Sequence, residues 1–153
     1  MQALAERVER GAEARYLLKD MWERMLGIRE KALKASGGHE PSLFLATWLS
    51  RPLLGPGDWL PELIWLAGAR PVLEAPGADA PRVSWEAVNQ AGPDVVALAP
   101  CGLDLDETAA ALQHVGRMDL FKSLQAFKSK RAYVCNGAHY FNRPSPRLAD
   151  AVE

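Results

Sequence analysis

The run Leu43 to Leu49 is apolar at nearly every position and ends at Ser50-Arg51-Pro52. A strand with one face in water alternates apolar and polar side chains. A strand that is apolar throughout must be covered on both faces, as a central strand of a parallel sheet is. Parallel neighbours in turn require crossover connections, so the remainder of the chain has to supply helices between strands. It does so in order. After the rigid loop Arg51 to Gly57, Asp58 caps a predicted helix carrying Trp59, Leu60, Leu63, Ile64 and Leu66, with Pro61 in its first turn and Gly68 at its end. Pro71-Val72-Leu73 is a minimal strand, and Glu74 to Pro81 is a Pro/Gly-rich loop. Ser84 opens a helix whose Trp85 and Val88 face inward, and Gly92-Pro93-Asp94 turns the chain into a strand over Val95 to Ala99. Asp104, Asp106 and Glu107 open a helix bearing Ala110, Leu112 and Val115, since acids are favoured at that end of the dipole. Met118 to Phe127 predicts one further helix, a last strand ends at Asn136-Gly137, and Pro146 to Glu153 starts a helix. The predicted fold class is α/β: a three-layer sandwich with a mostly parallel sheet.

A long linking helix precedes it. From Gln2 to about Ala35 there is no proline, and Leu4, Val8, Leu18, Met21, Trp22, Met25, Leu26, Ile28 and Leu33 recur near helical spacing. At 1.5 Å per residue such a helix spans about 50 Å. A domain of this size needs less, so part of its apolar face is expected to pack on something these residues do not supply. Ser36-Gly37-Gly38 stops it, which divides the chain into a linking helix, residues 1–37, and an α/β lobe, residues 38–153.

The 153 residues carry 18 basic and 19 acidic side chains in mixed order, a net charge of -1. That balance offers no cationic face for nucleic acid and no polybasic run for anionic lipid. No apolar run reaches the length of a membrane span, and Glu6, Glu9 and Glu13 give the first residues an amphipathic pattern instead of a signal peptide's apolar core. The glycines at Gly55, Gly57 and Gly68 match no nucleotide-binding spacing, and neither a nucleophile elbow nor a His-Glu-X-X-His pair is present. Asp104, Asp106 and Glu107 could pair as acid and base, yet helix capping explains them more simply. Cys101 and Cys135 are too few for a disulfide framework. With His139 they would offer zinc three ligands, but no closely spaced cysteine pair or fourth ligand accompanies them. Neither a resident metal nor a cofactor is therefore expected, and the sequence reads as that of a non-enzyme.

Tyr133 to Arg147 carries what remains. Past the Asn136-Gly137 strand end, a loop presents His139, Tyr140, Phe141, Asn142 and Arg143 before Pro144 and Pro146. In open α/β sheets ligands sit beyond the carboxyl ends of the strands, and aromatic faces with a few polar groups suit a large, flat, partly polar molecule.

Four segments together resemble the C-terminal lobe of the periplasmic cobalamin-binding proteins, from the class of ABC-importer binding components that also carries iron siderophores and haem. They are Trp48 to Leu53, Gly57 to Gly68, Val83 to Val88 with Pro93 to Val96, and Ala99 to Gly102 with Tyr140 to Arg147. The resemblance implies two lobes bridged by one rigid helix, with the ligand in the cleft between them. The linking helix would be that bridge, and its bare apolar face would belong against an absent amino-terminal lobe. These residues would then be an excised lobe, a truncated product or half of a pair. The implied cargo is a corrinoid or a related large chelate, and the implied location is the periplasm or cell surface. Implied cleft residues are Leu54, Arg82, His139, Tyr140, Phe141 and Arg143. Arg143 matches the family's cleft arginine, whereas His139 and Leu54 replace an acid and an aromatic ring found in some relatives. Glu86 matches a glutamate that docks onto arginines of the membrane permease. An alternative role is an assembly module, dimerising through the bare helix face.

Overall fold

Side chains that alternate between two apolar environments build the centre of the molecule. The structure, a computed structural model, describes residues 2–7 and 9–153. In chain order its elements begin with helices α1 (Gln2–Arg7) and α2 (Gly11–Ala35) and strands β1 (Ser42–Ala46), β2 (Leu53–Leu54) and β3 (Gly57–Asp58). Helix α3 (Leu60–Leu66), strands β4 (Arg70–Pro71), β5 (Ala75–Pro76) and β6 (Arg82–Val83), helix α4 (Trp85–Ala91) and strand β7 (Val95–Leu98) follow. The chain continues with helices α5 (Leu105–Val115), α6 (Asp119–Ser123) and α7 (Gln125–Lys128), strand β8 (Ala132–Val134), a π-helical turn (Gly137–Phe141) and helix α8 (Leu148–Val152).

The main sheet has the order β4-β1-β7-β8, with every neighbouring pair parallel. Leu45, Ala97 and Ala99 point to one face, where Met21 and Met25 of α2, Leu63 and Ile64 of α3 and Val152 of α8 cover them. Phe44, Ala46, Val96 and Leu98 point to the other, against Trp85 and Val88 of α4, Val115 of α5 and Phe121 of α6. The three-layer α/β architecture expected from the apolar Leu43–Leu49 run is thus the one observed. Ser84 caps α4 by accepting from the Ala87 N–H at 3.2 Å, and Pro61 sits in the first turn of α3.

Two expected helices are each divided. The run Gln2–Ala35 breaks between α1 and α2, where Glu9 takes φ +57°. Between Val8 and Tyr16 the sequence has no large apolar side chain to hold a continuous face, and Gly11 weakens the helix further. Val8 and the side chain of Leu4 lie outside the described residues. Over Met118–Phe127, Leu124 turns extended (φ -56°, ψ 133°) and is buried in the second core, separating α6 from α7. Along α2, Met21 and Met25 are buried while Tyr16, Leu17, Trp22 and Leu26 stay exposed, so the bare apolar face expected of this helix is present. Arg24 ties α2 to α8, donating to Asp150 at 2.7 Å and to Glu153.

The start of the sheet is pinned by a reciprocal lock. Asp94 Oδ2 accepts from the Ser42 N–H at 2.8 Å and the Ser42 hydroxyl at 2.7 Å, while the Asp94 N–H donates to Ser42 Oγ at 2.9 Å. The Ser42 hydroxyl and then its backbone N–H hold the Asp94 carboxyl below its ordinary pKa. A depressed folded-state pKa gives stability that is complete above the unfolded value and is lost as pH falls through the folded one. Asp94→Ala should therefore cost about 1–3 kcal/mol at neutral pH, because it leaves Ser42 groups unpaired. Urea midpoints should show the gap between variant and parent closing below about pH 4.

Candidate functional site

Three loops meet at the carboxyl ends of β1, β7 and β8. After β1, the Thr47 N–H donates to Leu54 O at 2.9 Å and its hydroxyl to Gly55 O at 3.0 Å, folding Trp48 to Pro52 out as an excursion. Small ribbons hold that excursion against the 73–83 loop: β2 runs antiparallel to β6 with Leu54 opposite Arg82, and β3 runs parallel to β5. Gly57 permits the close approach, since a Cβ there would lie 2.5 Å from Ala80 N. After β7, the Cys101 N–H donates to Thr47 O at 2.8 Å. After β8, Asn136 Oδ1 accepts from the His139 N–H at 2.8 Å and starts the π-helical turn, a geometry often found at functional positions. The Asn142 backbone N–H closes the turn by donating to Gly137 O at 3.2 Å, and its side-chain amide, turned with nitrogen toward Gly137 O and oxygen toward Gly102 N–H, satisfies both groups.

These loops enclose a cavity of about 310 Å³ whose walls include Trp48, Leu54, Trp59, Cys101, Phe141 and Asn142. It is predominantly apolar. Trp59 Nε1 is buried there with no hydrogen-bond partner among the described residues. The indole also borders a second apolar cavity of about 490 Å³ under Trp22, Met25 and Leu148.

Of the residues expected in the cleft, Leu54 and Phe141 share the first cavity. His139 and Arg143 instead line an adjoining depression of about 270 Å³ with Ser145 and Arg147. Tyr140 joins the two, its ring edge-on to His139 at 4.7 Å and to Phe141 at 6.5 Å. Arg82 is exposed on β6 opposite Leu54 and borders neither. Glu86 stands apart, exposed in the first turn of α4 beside a groove with Arg51, Pro52 and Met118. Its backbone N–H and then the Ser84 hydroxyl hold its carboxyl below the ordinary value, with Arg51 adding to the effect.

Cys101 is exposed and Cys135 half-buried, both as free thiols, and burial raises the Cys135 pKa. Among the described residues no group of three or more His, Cys, Asp or Glu converges as a metal site. Asp104 and Glu107 cap α5 reciprocally: each carboxylate accepts from the other's N–H at 2.9 Å. Among the described residues no helix is long and apolar enough to cross a membrane.

Sequence reasoning missed Trp48 and Trp59 as site residues, while Asn142 lay within the His139–Arg143 loop read as the cleft. For Trp48 the signal was present, since it follows β1 just as the His139 loop follows β8, and the same strand-end rule applies to both. Trp59 was read as part of a helix's apolar face, yet it precedes α3 and lines the cavity.

A family model described as periplasmic binding protein matches residues 1–138. No sequence among the curated proteins matches the chain. Solved structures do. An ABC transporter substrate-binding protein from Listeria monocytogenes superposes with a TM-score of 0.82 at 18% identity, covering 99% of this chain and 58% of the other. A periplasmic haem-binding protein from Pseudomonas aeruginosa gives 0.77 at 21% identity, covering 99% and 54%. A protein of the ABC-type Fe3+-hydroxamate transport system from Saccharomonospora viridis gives 0.71 at 19%, covering 99% and 50%. The chain thus spans little more than half the length of the solved proteins it matches. With the family model covering most of its residues, this chain belongs to the periplasmic binding protein family, whose members are binding proteins and not catalysts.

Proposed function

We propose that these residues form the ligand-binding carboxyl-terminal lobe of the solute-binding component of an ABC importer, working outside the cytoplasm on a large metal chelate. The cavity at the carboxyl ends of β1 and β7 carries this reading: Trp48, Trp59 and Phe141 offer aromatic surface. Such a wall suits a cargo that brings its own metal in an organic shell. At about 310 Å³ the cavity is at the small end for a ligand site, as befits one wall of a cleft shared with a second lobe. The resemblance in the sequence favours a corrinoid, and the solved relatives from P. aeruginosa and S. viridis support haem or a siderophore equally. Glu86, exposed and held ionised away from the cavity, would dock on the permease.

Titrating cyanocobalamin, haem and a ferric hydroxamate against the protein tests the reading, with Trp48 and Trp59 as fluorescent reporters inside the cavity. One chelate should quench saturably at micromolar concentration, and Phe141→Ala should weaken it about thirtyfold, the loss typical of a central aromatic anchor. Absence of saturable quenching by all three in the two-lobed protein would remove the chelate assignment.

A second reading rests on the exposed Tyr16, Trp22 and Leu26 of α2, a face that a second copy could cover. Sedimentation separates the two readings, because a monomer at high concentration excludes self-assembly through that face.

A further inference from the structure

The two free thiols sit in different surroundings. Cys135 is half-buried against the core beneath α2, and burial raises its pKa. Cys101 is exposed and borders the loop-lined cavity with Trp48, Trp59 and Phe141. The zinc set that the sequence could have offered is not assembled, because His139 borders a different depression and among the described residues no three such groups converge. Cys101 is thus left free at the cavity wall. A thiol with solvent access can ligate or react, whereas one buried among apolar groups is inert.

The backbone decides where this thiol stands. Its sulfur is attached directly to Cβ, so it cannot swing away as the head of a long side chain can. The main chain around it is held on both flanks. On one side the Ala99 N–H donates to Ala46 O at 2.9 Å and the Cys101 N–H to Thr47 O at 2.8 Å, at the end of β1. On the other, the Ala138 N–H donates to Leu103 O at 2.9 Å and ties the loop to the π-helical turn. Gly102, at φ +81°, makes the bend between these anchors.

Thiolate is a soft ligand for transition metals, and it is one of the groups that hold haem iron axially. The aromatic faces of Trp48, Trp59 and Phe141 suit a flat body. A planar macrocycle fills the equatorial positions of its metal and leaves the axial ones to other ligands, while a hexadentate siderophore leaves none.

We infer that Cys101 supplies an axial thiolate to the metal of the bound cargo, which is therefore a planar macrocyclic chelate with an exchangeable axial ligand. This rests on the chelate reading above and narrows it, setting the siderophore aside. The step is a substitution: the bond from metal to axial water breaks, a metal–sulfur bond forms, and the thiol proton passes to solvent. The metal keeps its oxidation state. Cys101 lies within the Ala99 to Gly102 segment that carries part of the family resemblance, but the resemblance gave it no role.

Visible absorbance of the two-lobed protein, reduced and then freed of reductant, tests the ligation with aquocobalamin, ferric protoporphyrin and a ferric hydroxamate. One of the two macrocycles should develop a saturable thiolate spectrum, lost in Cys101→Ser and kept in Cys135→Ser. Serine at position 101 keeps the backbone bond to Thr47 and replaces an exposed side chain, so circular dichroism should be unchanged. Affinity for that macrocycle should fall about tenfold in Cys101→Ser. Its cyanide adduct, with the axial position already taken, should bind parent and variant alike. Macrocycle binding without a thiolate spectrum, or a spectrum that survives Cys101→Ser, overturns the ligation and leaves the chelate reading intact. Saturable binding of the hydroxamate alone does the same. Failure of all three to bind overturns the chelate reading and the axial ligand with it.

Discussion

Gly137→Ala is expected to destabilise the protein by about 3 kcal/mol and to weaken chelate binding in whatever fraction still folds. A Cβ at this position would stand 2.0 Å from the Pro100 carbonyl oxygen, 2.8 Å from its carbon and 2.9 Å from the Ala99 carbonyl carbon. All three are backbone atoms at the end of β7, and no rotamer change can move them aside. The strand end or the π-helical turn has to shift instead, and with the turn go Phe141 and the Asn142 amide that closes it. Urea unfolding followed by circular dichroism gives the stability, and the quenching titration gives the binding. Gly27→Ala is the control in the same experiment. That glycine lies inside α2 with nothing within 4 Å of its would-be Cβ, so alanine should stabilise by about 0.5–1 kcal/mol. A Gly137→Ala variant as stable as the parent would show that the β7 and β8 ends are not in the close contact described.

Phe121→Ala is expected to cost about 3–5 kcal/mol, a large part of the total stability of an ordinary domain. Phe121 is wholly buried on the sheet face away from α2, edge-on to Trp85 at 5.1 Å and to Phe127 at 5.2 Å. Trp85 in turn meets Phe44 of β1 edge-on at 6.4 Å. Removing the ring leaves a void among atoms fixed by α4, α6 and the sheet, so little collapse can offset the loss. A shift in urea midpoint worth less than about 1 kcal/mol would mean that this aromatic chain is not the core of the second layer. Phe121→Leu, which keeps most of the volume, should lose much less.

How far the sequence reached depended on what each signal encoded. The two central sheet strands were legible because their apolar positions answer to burial on both faces, a requirement each segment carries by itself. Leu43–Leu49 and Val95–Ala99 show it plainly, and Ser84 and Pro61 declared their helix starts through local hydrogen bonding and φ. The ribbons β2–β6 and β3–β5 were not legible, since each strand has two residues and exists only through its partner 18 to 30 positions away. Leu124 defeated the single helix read over Met118–Phe127 because its apolar periodicity is preserved while the core draws the backbone out of register. In the site, His139 to Arg143 were found as a group by composition and strand-end position. Composition could not divide them, however, and only the π-helical turn sends Phe141 toward one concavity and His139 with Arg143 toward another.

Trp59 stands between two empty spaces, the loop-lined cavity and the one beneath α2. One indole therefore lines both the loop-lined cavity and the space shared with Trp22 and Met25. If the loop-lined cavity holds the proposed cargo, a tilt of α2 would alter the floor on which that guest lies, and a guest pressing on the floor would load the rod in return. On the proposed reading, occupancy of the cavity and the angle of that rod would be one mechanical variable, with no separate transmitting part between them.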